Sequence, residues 1–173
     1  MMKTSISLIG MAGAGKSSIG EELAKSLNLE FVDSDLVIEQ KYGKSLQDIL
    51  SQNGHERFKE IEEESLLSVN FQEIVLATGG SAVFSKKAMQ FIKENSIVIY
   101  LDATYQDITE RVSNFSERGL IKRPDQTVEE AYKERKELYQ YFTDHTIKND
   151  KTIDSCVNEI PVSYTHLTLP TKA

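Results

Sequence analysis

One eight-residue stretch limits the fold of this chain more than any other. Residues 10–17, Gly-Met-Ala-Gly-Ala-Gly-Lys-Ser, fit the pattern G-x-x-x-x-G-K-S/T. The apolar run Ile6–Ile9 before them predicts a strand, and Ile19, Leu23 and Leu27 after them share one helical face. A strand, a glycine-rich turn and a helix in this order form an anion cradle, because loop N–H groups and the helix N-terminus point at the ligand. Since both flanks agree with the motif, a chance match in a glycine turn is disfavoured, and the stretch predicts a phosphate-binding loop.

The loop residues suit a nucleoside triphosphate and a divalent ion. Lys16, which we expect to face solvent, would add a full positive charge to the cradle. The hydroxyl of Ser17 is placed to bind Mg2+. We expect the nucleotide to be held by the loop and the first helical turn: Ala12, Gly13, Ala14, Gly15, Lys16, Ser17 and Ser18.

Composition narrows the partners and the compartment. The 173 residues carry a formal net charge of -7 and a pI near 5.1, which does not favour nucleic acid as a partner. A single cysteine, Cys156, gives no disulfide framework and suits a reducing compartment. No apolar run approaches the roughly 18 residues that span a bilayer. We expect a cytoplasmic monomer that binds neither nucleic acid nor membranes.

Apolar runs alternate with helical patterns along the rest of the chain. Further strands are predicted at residues 29–33, 74–77, 97–101 and, as an edge strand, 145–148. Continuous apolar strands that alternate with helices are typical of a parallel sheet covered on both faces. The pattern therefore predicts a three-layer α/β fold of the P-loop NTPase type, with about five parallel strands.

Two stretches depart from this pattern. Residues 113–126 are polar and aperiodic, which is typical of a functional lid or a disordered loop. A closing helix from Ile153 to Ile160 is expected to stop at Pro161, where the pattern breaks. We therefore expect one domain over residues 1–160, and a tail over residues 161–173 that is either foreign to the domain or an ordinary disordered terminus.

Several charged residues and glycines stand out as candidate site residues. Asp33 and Asp35 follow the second strand and can share one face, although they could instead only cap the next helix. Gly79 and Gly80 follow the third strand and would let a ligand approach backbone N–H groups closely, or would form only a turn. Arg135 falls on the apolar stripe of a helix, where a lone charge needs a partner.

Taken in order, these residues resemble the shikimate kinase family, small P-loop kinases that phosphorylate a ring hydroxyl of a polyhydroxylated carboxylic acid. The resemblance extends from about Ser5 to Ile160 and implies a nucleoside-monophosphate-kinase-like fold and an ATP-dependent phosphotransferase. The markers beyond the loop are Phe-Val-Asp-Ser-Asp at 31–35, Phe-Lys-Glu-Ile-Glu-Glu at 58–63, Thr-Gly-Gly-Ser-Ala-Val at 78–83, Arg118, and Glu-Arg at 134–135.

On the nucleotide side, the resemblance implies ATP with Mg2+. Lys16 would place its charge at the β- and γ-phosphates, as a catalytic residue. Ser17 would bind the ion directly and Asp33 through water. The lid residue Arg118 would close over the phosphates and take part in catalysis, and Arg111 would lie against the adenine.

On the acceptor side, the resemblance implies a small hydroxylated carboxylic acid as substrate. Asp35 would bind the acceptor hydroxyl and act as the catalytic base. Gly79 and Gly80 would border the substrate, and Lys59 with Arg135 would bind its carboxylate. We also expect Glu62, which falls on the apolar stripe of its helix, to hold Lys59 in place.

Three positions depart from the family pattern. The family has arginine at Lys59, and lysine offers a point charge instead of a planar fork. The third glycine of the family is Ser81 here, and the family's Arg-Pro pair in the lid is Arg118-Gly119. All three departures touch the acceptor side or the lid, so the kinase assignment is better supported than the acceptor.

Other functions remain open at this point. Within kinases, the alternative acceptor is another hydroxylated acid, such as a gluconate-like one. A non-kinase P-loop ATPase or a nucleotide-operated switch is the second alternative, since the strand 97–102 ends in a possible magnesium-binding Asp102. Against these, Asp33 already fills that role, no catalytic glutamate follows Asp102, and residues 148–151 do not form the Asn-Lys-x-Asp guanine reader.

Overall fold

The computed structural model describes residues 3–111, 125–149 and 152–168. Within these ranges the strands are β1 (Ile6–Ile9), β2 (Glu30–Asp33), β3 (Ile74–Ala77), β4 (Ile97–Asp102) and β5 (His145–Lys148). The α-helices are α1 (Lys16–Leu27), α2 (Ser34–Tyr42), α3 (Leu46–Leu67), α4 (Lys86–Asn95), α5 (Tyr105–Arg111), α6 (Val128–Phe142) and α7 (Ile153–Thr168), with a 3₁₀ helix at Ala82–Phe84.

The strands form one sheet in the order β2-β3-β1-β4-β5, and every neighbouring pair is parallel. In the sheet register, Ala77 lies beside Leu8 on one side and Asp33 on the other. The loops that follow β1, β2 and β3 therefore leave the sheet at the same edge. Ligands of open α/β sheets bind at this carboxyl edge.

The core confirms the predicted α/β class. Strands β1 and β3 are buried along their whole length, and β4 along all but its last residue. The helices that pack on the sheet contribute Ile19 and Leu23 from α1, Met89 and Ile92 from α4, and Tyr139 from α6. A sheet buried on both faces explains why its strands have continuous apolar sequences.

Side-chain caps fix the starts of several helices, at serine and threonine residues that favour this position in the sequence. Ser45 Oγ accepts from Asp48 N at 3.1 Å at the start of α3. Thr127 Oγ1 does the same for Glu130 N, also at 3.1 Å, at the start of α6. Asn53-Gly54 has the sequence of a turn, and Gly54 is a break inside α3, where φ is 79°. These caps matter for the site because α3 and α6 carry its charged residues.

The last helix differs from expectation. It was expected to end at Ile160, but α7 continues through Pro161 to Thr168. Proline lacks the N–H that donates within a helix, so it removes one bond without ending every helix that contains it. Whether residues 161–173 are foreign to the domain stays a prediction. Among the described residues, no helix has the length and apolar character needed to cross a bilayer.

Candidate active site

The glycine loop passes close to Leu101 of β4 and to Asn149, which follows β5. Gly10 has a φ of 153°, and a Cβ there would lie 2.8 Å from the carbonyl oxygen of Leu101. Gly15 is the N-cap of α1 with a φ of 92°, in the left-handed region. A Cβ on Gly15 would lie 2.8 Å from Asn149 Nδ2. A residue with a side chain would therefore not fit at position 10 or 15. This close path of the backbone leaves the N–H groups of the loop open to a ligand.

Lys16 does not face solvent, and that expectation is wrong. The residue is only 8% exposed. Its Nζ donates to Gly10 O at 2.5 Å and to Met11 O at 3.0 Å. The reason is that an ammonium has three donors, and the carbonyl oxygens of its own loop are close enough to accept. The charge consequently lies inside the loop, where phosphate oxygens would bind.

Ser17 and Asp33 bring two oxygen groups together beside this loop. Ser17 Oγ donates to Asp33 Oδ2 at 2.7 Å. Asp33 Oδ1 caps α2 by accepting from Asp35 N at 3.0 Å and Leu36 N at 3.4 Å. Asp33 therefore caps α2 and also contacts the phosphate loop through Ser17, while its role towards Mg2+ stays a prediction.

The hydroxyl of Ser17 and the carboxylate of Asp33 suit a Mg2+ ion that also binds phosphates. The described part of the chain has no group of three or more His, Cys, Asp or Glu residues able to hold a metal. Mg2+ usually keeps several waters and takes one or two protein oxygens, with substrate phosphates completing the shell. A hydroxyl and a carboxylate next to a phosphate loop suit that mode of binding.

Two carboxyl groups converge on Gly79. A Cβ at this position would lie 2.6 Å from both Asp35 Oδ1 and Glu62 Oε2. Burial of the Asp35 carboxyl is the main cause that raises its pKa to about 6, with Asp33 adding to the shift and Lys16 opposing it. Glu62 is 5% exposed, and burial, helped by Asp35, raises its pKa to about 8, against the influence of Arg135. Glycine is therefore the one residue type at position 79 that leaves room for both carboxyl groups.

Arg135 is fully buried, as its place on the apolar stripe of α6 predicts. Its guanidinium donates to Ala131 O at 3.3 Å and to Ser81 Oγ at 3.4 Å. The Cζ atom also lies 4.8 Å from the centroid of the Phe84 ring. Burial lowers the pKa of Arg135, while Tyr139, Glu134 and Glu62 oppose that shift. A buried guanidinium remains charged, so it is a strong anion-binding group.

Lys59 also lies near the Phe84 ring. Its Nζ is 5.9 Å from the Phe84 centroid and 4.0 Å from Glu56 Oε1. Lys59, Glu62, Ser81 and Phe84 line a cleft of about 220 Å³. The structure thus brings Lys59 towards Arg135, as the sequence predicts. The expectation that Glu62 holds Lys59 is wrong, because Glu62 turns towards Gly79 and Asp35 while Lys59 pairs with Glu56.

Gly80 lies against the glycine loop, next to Ser81 of the cleft. A Cβ on Gly80 would lie 3.2 Å from Ala12 N. Tyr139 Oη donates to Gly80 O at 2.5 Å, and the Tyr139 ring stacks on Tyr100 at 5.1 Å. The two adjacent glycines therefore serve different contacts: Gly79 faces the carboxyl groups, and Gly80 faces the phosphate loop.

Some predicted site residues fall outside the described part of the chain. Arg118 and Gly119 lie between the described ranges, as does most of the predicted lid at residues 113–126. Arg111 ends α5, but its side chain is also outside the description. The roles of Arg111 and Arg118 therefore stay predictions.

Two residues at the site were missed by sequence reasoning. Asn149 follows β5 and is 4% exposed; its Nδ2 donates to Ala14 O at 2.6 Å, and Cys156 Sγ donates to its Oδ1 at 3.1 Å. Asn149 thus holds the glycine loop in place from the end of β5. Phe84 was missed because an aromatic residue after a glycine turn has the pattern of ordinary core. For neither residue does the local sequence contain a signal.

Comparisons with known proteins agree with this geometry. The family model of shikimate kinase matches residues 12–163. A shikimate kinase from Francisella tularensis subsp. novicida is 39% identical over 166 residues, covering 92% of this chain and 94% of the relative. One from Clostridium botulinum is 37% identical over 160 residues, covering 92% and 96%.

A solved structure extends the match to three dimensions. The shikimate kinase from Acinetobacter baumannii in complex with shikimate superposes with a TM-score of 0.87 at 30% identity, covering 97% of this chain and 96% of that one. The family model alone spans well over half of the sequence, and the sequence relatives match at more than 30% identity over nearly their whole length. The chain belongs to the shikimate kinase family.

Proposed function

We propose that this protein transfers the γ-phosphoryl group of ATP to a ring hydroxyl of shikimate, giving 3-phosphoshikimate and ADP. The observation that carries the proposal is the convergence of an acidic residue, Asp35, and two cations, Arg135 and Lys59, around Gly79–Ser81 beside the phosphate loop. This arrangement suits an acceptor that has both a hydroxyl and a carboxylate. The relatives' names and the A. baumannii complex with shikimate support the same acceptor.

The loop would hold the triphosphate by backbone and charge. N–H groups of residues 12–18 would surround the phosphates, and the Lys16 ammonium would exchange its loop carbonyls for the β- and γ-oxygens. Ser17 and Asp33 would hold Mg2+, which neutralises charge on the phosphates when it is bound. Phosphoryl transfer requires mainly positioning and charge stabilisation, and these residues provide both.

Asp35 would orient the acceptor hydroxyl and accept its proton. Its carboxyl has a pKa of about 6, nearer to neutral pH than that of an exposed aspartate. A base is most effective when its pKa lies close to the working pH while its deprotonated form still dominates. At pH 7.5 Asp35 is mainly ionised, so it can act as the base without a partner that deprotonates it.

Arg135 and Lys59 would bind the acceptor carboxylate. Arg135 is held by Ala131 O and Ser81 Oγ, so its position is set before substrate arrives. Lys59 is more exposed and supplies a second positive charge from α3. Together they fix the orientation of the ring, which brings the hydroxyl to Asp35 and the phosphate loop.

Arg118 and Arg111 complete the proposal on the basis of the family resemblance. We expect Arg118 to close over the phosphates once both substrates are bound, which excludes water that would otherwise hydrolyse ATP. We expect Arg111 to lie against the adenine. Both assignments rest on the matched positions in sequence.

The test is ADP release with magnesium ATP across a panel of hydroxylated carboxylic acids that includes shikimate and gluconate. We expect turnover with shikimate, and a loss of about 10²-fold or more in kcat for Asp35→Asn, because general-base catalysis contributes roughly that much. The exposed Asp154→Asn is the matched control and should retain full activity. A protein that ignores shikimate but phosphorylates gluconate would refute the named acceptor and leave the kinase mechanism intact.

A further inference from the structure

The ring of Phe84 lies close to two cations, the buried Arg135 and the cleft residue Lys59. Its centroid is 4.8 Å from Arg135 Cζ and 5.9 Å from Lys59 Nζ, and cation–π attraction extends to about 6 Å. Phe84 ends the short 3₁₀ helix that follows Gly79–Ser81. The ring is therefore attached to the loop that borders the acceptor, while Arg135 and Lys59 come from two different helices.

An aromatic ring suits this position better than an acidic residue would. Burial makes the charge of Arg135 costly, and a carboxylate would offset that cost most strongly. A carboxylate would also cancel the positive charge and compete with an anionic substrate. The face of a ring attracts a cation without cancelling its net charge. Phe84 thus stabilises two cations that can still bind the acceptor's carboxylate.

The glutamates that line the cleft explain why a neutral aromatic contact for the cations is useful there. Apart from Lys59, its charged lining residues are all glutamates: Glu56, Glu60, Glu62 and Glu63. Most of these carboxyl groups are engaged elsewhere. Glu60 pairs with Arg57 at 2.9 Å, Glu63 accepts from Ser85 Oγ, and burial keeps the pKa of Glu62 at about 8. Glu56, at 4.0 Å, is then the main competitor for Lys59, and the ring provides a second contact for the same ammonium.

We infer that Phe84 is a positioning residue for acceptor binding, whose ring holds the Arg135 guanidinium and the Lys59 ammonium in place so that both bind the acceptor's carboxylate. The inference rests on the proposed function, because that carboxylate is the one of shikimate. Phe84 itself need not contact the reacting atoms. Its effect should consequently appear in the binding of the acceptor and not in the chemical step.

The sharpest test replaces Phe84 with phenylalanines that carry increasing numbers of ring fluorines. Fluorine changes the shape little but weakens the negative face of the ring, and this weakens cation–π attraction selectively. We expect the KM for shikimate to rise stepwise along the series, reaching about three- to tenfold, with kcat within about twofold. The KM for ATP should stay constant, because no cation of the nucleotide loop contacts this ring among the described residues.

Matched variants separate charge from packing. Phe84→Leu should raise the KM for shikimate at least as much as the most fluorinated ring, and Phe84→Tyr should restore it. Phe71→Leu is the control, since Phe71 is also half-buried in an aromatic contact, with Phe91 at 5.7 Å, yet lies outside the site. Shikimamide, in which a neutral carboxamide replaces the carboxylate, should bind equally to wild type and Phe84→Leu.

The outcomes distinguish this inference from the proposed function. If wild type phosphorylates shikimate and its KM is constant across the fluorinated series, Phe84 has no positioning role and the function stands. An equal rise in the KM values for ATP and shikimate would indicate general damage to the site and would also overturn the inference. A wild-type protein that neither binds nor phosphorylates shikimate would overturn both proposals.

Discussion

At the scale of single residues, the site is arranged by burial of charge. Arg135 and Glu62 are both buried polar groups, and each lies where an apolar stripe predicts a core residue. Such groups are retained only where they have partners or a function. Asp35 and Glu62 meet at Gly79, and burial is the main cause that raises both pKa values, with Asp33 adding to the shift of Asp35 and Asp35 adding to that of Glu62. The acceptor side of the site is therefore sensitive to pH in two separable ways.

The rate should report the protonation of Asp35. Its carboxyl must be ionised to accept a proton, and its pKa is about 6. We expect kcat for shikimate to rise about tenfold per pH unit below pH 6 and to level off above it, when stability is checked separately at each pH. A kcat that is flat between pH 5 and 8 would remove Asp35 from the role of base.

Stability should report the protonation of Glu62. Its pKa is raised from 4.5 to about 8 in the folded protein, so the folded state retains a proton that the unfolded state releases. The free energy of unfolding should therefore fall as pH rises between about 4.5 and 8. Glu62→Gln, which mimics the protonated form, should flatten this slope and stabilise the protein near pH 8 by on the order of 1 kcal/mol. Thermal unfolding at pH 5, 6.5 and 8 measures both effects, and parallel slopes would contradict the account.

At the scale of elements, the sheet and the helix caps bring distant residues together. The loops after β1, β2 and β3 carry the phosphate cradle, Asp33 with Asp35, and the two glycines. Helices α3 and α6 add Lys59 and Arg135 from the acceptor side. Helix α7 packs Cys156, Val157 and Ile160 into the core.

Removing residues 161–173 tests the contribution of the last stretch. We expect the shortened protein to keep kcat within about twofold and its melting temperature within about 4 °C, because about 1 kcal/mol shifts Tm by that amount or less in a domain of this size. A larger loss would show that the second half of α7 belongs to the folded core. Removal of residues 153–173 is the positive control, since it deletes the buried face of α7.

How much the sequence could predict also depends on scale. The strands, the caps at Ser45 and Thr127, and the buried position of Arg135 follow local patterns, and the structure confirms them. Local patterns predict neither the orientation of Lys16 nor the ion-pair partner of Lys59. Each depends on which oxygen atoms the folded chain brings closest to the ammonium group. Phe84 meets its two cations only after the 3₁₀ helix packs between α3 and α6.

At the scale of the whole molecule, the fold places the phosphate loop beside the cleft that we propose for the acceptor. The Gly79–Ser81 segment connects them, since Gly80 touches the loop at Ala12 while Ser81 accepts from Arg135. A nucleotide and an acidic acceptor bound in these two places would be neighbours. We therefore expect the phosphoryl group to pass directly from the nucleotide to the acceptor.

The most direct measurement follows the phosphoryl group itself by ³¹P NMR, with the wild-type protein, magnesium ATP and shikimate. The account predicts one new phosphomonoester signal on shikimate for each ADP formed, and a rate of ATP consumption that drops to near zero when shikimate is omitted. It also predicts that Asp35→Asn nearly abolishes the new signal. ATP consumed at the same rate without shikimate, with inorganic phosphate as the product, would contradict direct transfer of the phosphoryl group to shikimate.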